Sequence, residues 1–126
     1  MKQKLAILFL LFAFLVPGVA GAAEKDDFKV KTTDDFLELC IVPVDDPYHV
    51  AAVHFVHGYL VGAYHYYAAQ AAGPNGNKFV CLPEKLPSRN EVVDMFVQWA
   101  KAHPQYMTET PVETVFRFLA EKWPCK

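Results

Sequence analysis

Serine occurs once in this chain, at Ser88, and arginine twice, at Arg89 and Arg117. The serine precedes Arg89-Asn90-Glu91, where it reads as a helix cap, so none is left to act as the nucleophile of a triad. Two arginines in a chain of formal charge −2 make no basic stripe to neutralise phosphates, which argues against nucleic acid as a partner. Neither an HExxH nor a CxxC spacing occurs, which removes the commonest short metal and redox motifs. Cysteine is sparse too: Cys40, Cys81 and Cys125.

What is present begins at the N-terminus. Lys2 and Lys4 precede an unbroken apolar run from Leu5 to Val16, and Pro17-Gly18 and Ala20-Gly21-Ala22 follow. This is the charged, apolar and small-residue layout of an export signal, with cleavage expected after Ala22. A run of about 12 residues is short for a spanning helix, which needs roughly 20. No cysteine stands at the cleavage point for lipid attachment, so a soluble mature chain without a membrane partner is expected. Losing residues 1–22 removes two lysines and no acid, taking the formal charge from −2 to −4 over 104 residues, enough for one modest domain. Export favours a disulfide, and an odd number of cysteines leaves one thiol over.

Residues 23–33 are charged and aperiodic and read as a mobile lead-in; the domain proper is expected over 34–126. Four helices are predicted there. Thr32 and Thr33 before Asp34-Asp35 cap a short helix that Pro43 closes, with acids in the first turn where the dipole favours them. Asp46-Pro47 reads as an N-cap with proline at the first helical position, opening a long helix from Tyr48 to about Ala72. Apolar residues lie all round that segment, which predicts a largely buried helix at the centre of a bundle. Gly73-Pro74-Asn75-Gly76-Asn77 is a turn by composition. Ser88 with Glu91, and Thr110-Pro111 with Glu113, are capping boxes ahead of apolar stripes at helical spacing, the first stopped by His103-Pro104 and the second by Pro124. The fold class is therefore all-α, a small four-helix bundle-like domain with a long central helix.

Candidate chemistry is thin. Cys40 is the one thiol to weigh as a nucleophile, but Asp34, Asp35 and Glu38 would raise its pKa rather than lower it. His54, His57 and His65 share a side of the long helix, yet His65 lies about 12 Å beyond His57 at 1.5 Å per residue, too far to complete a metal site. Neither a metal nor a cofactor is expected. Gly58 and Gly62 stack on one helical face at about 0.5–1 kcal/mol each relative to alanine, which suggests that another helix packs close against them. Of Tyr59, Tyr64, Tyr66 and Tyr67, some must reach the surface.

Gly58-Tyr59-Leu60-Val61-Gly62, Phe79-Val80-Cys81-Leu82-Pro83, a helix closing on Ala102-His103-Pro104 and one ending Trp123-Pro124-Cys125 together resemble the Rap/Tai family, periplasmic immunity proteins of type VI secretion amidase toxins. The resemblance runs from about Phe36 to Cys125. It implies a non-enzymatic, all-helical, often dimeric periplasmic protein that binds and blocks a peptidoglycan-cleaving cysteine amidase. It also implies pairing of Cys81 with Cys125, and it marks Gly58, Tyr59, Gly62, Pro83, Pro104 and Pro124 as motif positions. Four-cysteine relatives carry a further cysteine where this chain has Val56, so Cys40 is expected to be unpaired. An inhibitor has to reach into a cleft, which directs attention to two loops: Gln105 to Glu109, with Tyr106 and Glu109 as anchor and carboxylate, and Gly73 to Asn77, with Asn75 near its tip. The competing readings are a small helical acid-stress chaperone, opened by histidines that charge inside a buried helix, and a structural module using the same fold.

Overall fold

The computed structural model describes residues 23–126; residues 1–22, where the export signal is expected, lie outside the described residues. Four helices follow in order: α1 (Thr33–Cys40), α2 (His49–Ala71), α3 (Arg89–Lys101) and α4 (Pro111–Lys122). Among the described residues there is no strand, and the one extended pairing is an isolated antiparallel bridge between Val80 and Pro124.

The starts of three helices follow from their capping chemistry. Asp35 Oδ2 accepts the backbone N–H of Thr32 at 2.9 Å, and the Asp35 N–H donates to Thr32 Oγ1 at 3.2 Å. The amides of Lys31 and Thr32 donating to that carboxylate hold Asp35 below its ordinary pKa. Ser88 and Glu91 make the same reciprocal pair at the head of α3, at 2.7 and 3.3 Å. At α4, Glu113 Oε2 accepts from the Thr110 N–H at 3.3 Å, with Pro111 in the first turn. Such devices satisfy amides that no helical carbonyl reaches.

The start of α2 differs from expectation. Asp46 caps a turn instead of the helix: its Oδ1 accepts the Tyr48 N–H at 2.7 Å, and α2 begins at His49 with Tyr48 as its cap residue. The aperiodic lead-in also carries more structure than its composition predicts. Lys25–Lys29 forms a 3-10 turn, and the ring of Phe28 meets Phe55 edge-on at 5.6 Å.

The core forms where α1, α3 and α4 turn their apolar stripes inward. Phe36, Leu39, Phe96, Val115 and Phe118 are buried, and the Phe36 and Phe118 rings lie 6.0 and 5.7 Å from Phe96. Burial of such a side chain is worth about 1.5–3 kcal/mol. Helix α2 closes one side of this core with Ala52 and Val56, its two buried residues. The expectation of a largely buried helix is therefore corrected. Apolar residues all round α2 reflect a helix covered on one side only by the described residues, with Val50 65 % and Tyr66 70 % exposed. Tyr59 sits on the covered side, its ring 4.8 Å from Phe36, and burial pushes its phenol pKa up.

The segment after α2 is pinned at both ends. The phenolic oxygen of Tyr67 accepts the N–H groups of Phe79 and Val80, each at 2.8 Å. Cys81 N–H then donates to the Trp123 carbonyl at 2.9 Å, and a disulfide joins Cys81 to Cys125 with Cα atoms 4.9 Å apart. That bond ties the end of α4 to the α2–α3 connection.

Candidate interaction surfaces

The loop after α3 is built from its own aromatic side chains. The His103 ring stacks on Trp99 at 4.0 Å and 23°, with its Nδ1 2.7 Å from the Trp99 carbonyl. Tyr106 continues the pile, 5.9 Å from Trp99 at an interplanar angle of 8°. The Arg117 guanidinium from α4 covers the Tyr106 ring at 4.7 Å, a cation–π arrangement. The same guanidinium grips Glu109 with two parallel bonds, Nε to Oε2 and Nη2 to Oε1, both 2.9 Å. Hydrogen bonding from Arg117 holds the Glu109 carboxyl below its ordinary value, outweighing the opposing effect of desolvation.

The backbone of this loop is fastened to α1. The N–H of Thr33 donates to the Glu109 carbonyl at 2.8 Å, and the N–H of Asp34 to the Met107 carbonyl at 3.1 Å. Beneath them the buried hydroxyls of Thr33 and Thr114 lie 2.7 Å apart. Tyr106 and Glu109, expected to offer an aromatic anchor and a carboxylate, are thus brought together and already occupied by each other's neighbours. The sequence did not single out Arg117, Thr33 or Thr114 for this work. One signal was present: a lone arginine about two turns along from the Thr110-Pro111 start, on the polar flank of α4's apolar stripe.

The other loop has no such fastening. Gly73, Pro74, Asn75, Gly76 and Asn77 are all exposed, and their backbone bonds are local, Gly73 N–H to the Gln70 carbonyl at 3.2 Å and Gly76 N–H to the Gly73 carbonyl at 2.9 Å. Gly76 is needed there because a Cβ would overlap the backbone of Ala71 and Gln70.

Among the described residues nothing lies within 4 Å of where a Cβ on Gly58 or Gly62 would stand, and no described helix packs on them, which corrects the close packing expected from their spacing. They share the outer side of α2 with His54 and His65, both exposed. Pro83 and Pro124 are exposed, and Pro104 starts a 3-10 turn, Pro104–Tyr106. Cys40 is a free, half-buried thiol whose pKa burial pushes up to about 12. It is almost wholly protonated at neutral pH and a poor nucleophile.

The family model of the Rap1a immunity proteins matches residues 32–125, from the cap of α1 to the second half of the disulfide. The chain belongs to the Rap1a immunity family. No curated protein and no solved structure matches it. As a Rap1a immunity protein it is a type VI secretion immunity protein, whose partner is a toxin effector. Among the described residues no helix is long and apolar enough to cross a membrane.

Proposed function

We propose that this Rap1a protein acts in the periplasm, where it binds a peptidoglycan-cleaving amidase and covers its active site. The observation that carries the reading is the family match over nearly the whole helical domain, joined to an export signal in the sequence that would deliver the domain to the peptidoglycan. Of the two candidate loops, Gly73–Asn77 is the one whose polar groups remain free to meet a cleft, so Asn75 replaces Tyr106 and Glu109 as the foremost contact. The reading requires no catalytic residue in this chain.

The protein is further proposed to act as a homodimer through the outer face of α2. That helix has no Asp, Glu, Lys or Arg over its 23 residues. A two-fold axis sets a face against itself, and an uncharged face does so without like-charge repulsion. Gly58 and Gly62 would let the two helices approach closely. The deciding experiment mixes the exported protein with the amidase encoded beside it and follows peptidoglycan cleavage. Inhibition at one protein per enzyme is expected; undiminished cleavage at stoichiometric excess would refute the reading.

A further inference from the structure

A cleft of about 330 Å³ opens between α2, the α2–α3 connection, α3 and α4. Its size is at the lower end of the roughly 300–1,000 Å³ usual for small-molecule sites. Its lining is graded from floor to mouth. The floor is Phe96, Val115, Phe118 and Leu119, all buried. At the mouth stand Leu86, which is 51 % exposed, and three basic side chains, His57, His65 and Arg89. No aspartate or glutamate lines it.

Arg89 has no evident structural task. Among the described residues it makes no ion pair, the two present being Lys29–Asp26 and Arg117–Glu109. It also occupies the first position of α3, where the helix dipole disfavours a cation. A residue that breaks a local rule without a compensating contact is where a functional demand is to be sought.

We propose that the cleft binds a single-chain carboxylate of medium length, a fatty-acid-like amphiphile, with its tail on the Phe96–Phe118 floor and its head at Arg89, His57 and His65. An apolar floor beneath a mouth that holds an arginine, two histidines and no acid is complementary to an anionic amphiphile, and it discriminates against a cation of the same length. The proposal does not depend on toxin binding.

The test is calorimetric titration of the exported protein with sodium decanoate below its micellar concentration, with decyltrimethylammonium as the charge-reversed probe. Saturable binding of one decanoate per chain is expected, roughly ten-fold tighter than the cation. Arg89→Glu should weaken decanoate by a similar factor and leave the protein at least as resistant to urea, since an acid suits the first turn of a helix. Absence of saturable decanoate binding, equal binding of both probes, or an Arg89→Glu variant with unchanged affinity would each overturn the proposal. Sedimentation run alongside separates a second copy in the cleft: decanoate that binds only by splitting a dimer would also overturn it.

Discussion

The loops at 103–110 and 73–77 each carry a proline among polar side chains, and they differ in what those side chains are already doing. In the first, the Tyr106 ring lies under Arg117, Glu109 is gripped by the same guanidinium, and the backbone carbonyls of Met107 and Glu109 take up the first amides of α1. In the second, the hydrogen bonds reach no further than the end of α2. A polar or aromatic residue in a loop is a binding candidate only when its groups are not already satisfied inside the fold. The first loop is a structural joint, and the second is free to serve a partner.

The largest test of this contrast concerns the staple behind the free loop. Replacing both Cys81 and Cys125 by alanine releases a closed loop of 44 residues' separation and should lower unfolding stability by about 4 kcal/mol in urea denaturation. It should also extend mobility from Asn77 towards Ser88, visible as faster amide exchange there. Next is Thr33→Val, which removes one hydrogen bond each from the buried Thr114 hydroxyl and the Glu109 carbonyl, while the carbonyl keeps the Thr33 N–H. A loss of about 1–3 kcal/mol is expected, with exchange increasing across 103–110 and unchanged at 73–77.

Smaller in stability, but decisive for function, is Gly76→Val. The added side chain must displace the loop from the Ala71 backbone. Stability should fall by about 1 kcal/mol, while inhibition of the amidase should fall roughly ten-fold, about 1.4 kcal/mol of binding. Tyr106→Ala should leave inhibition nearly unchanged. The reverse ranking of these two variants would exchange the roles of the loops.

The smallest effect is electrostatic. The Glu109 pKa is lowered on folding, so its pairing with Arg117 stabilises fully above the ordinary carboxylate value of 4.5 and fades as pH falls through the lowered folded value. Glu109→Gln should therefore lower the melting temperature slightly at pH 7 and converge on the parent protein in strong acid. Thiol titration supplies a separate check on the cysteines. One thiol per chain should react under denaturing, non-reducing conditions, and Cys40 should react slowly in the native protein at pH 8, because burial holds it protonated.

Helix positions were legible in the sequence because their signals are local. Thr32 with Asp35, Ser88 with Glu91 and Thr110 with Glu113 satisfy amides three residues away, and nothing distant competes with them. Asp46 shows the limit of such signals, since the same carboxylate can cap a turn two residues earlier and delay the helix. The apolar periphery of α2 was legible as composition but misled as burial. Whether such a helix is enclosed depends on how many neighbours reach it, and here α1 packs along one side of α2 while α3 and α4 pack chiefly on each other and on α1.

By itself the sequence determined the four helices, the small all-α class, the shortage of catalytic groups and, through its motifs, the resemblance that the family match bears out. These rest on short-range hydrogen bonding, periodicity and spacing. Tertiary structure alone decided that Glu109 is occupied by Arg117 eight residues away, that Thr33 meets Thr114 across 81 residues, and that Gly58 and Gly62 look outward. Those outcomes depend on which faces meet when the helices pack, a long-range choice that no single segment encodes.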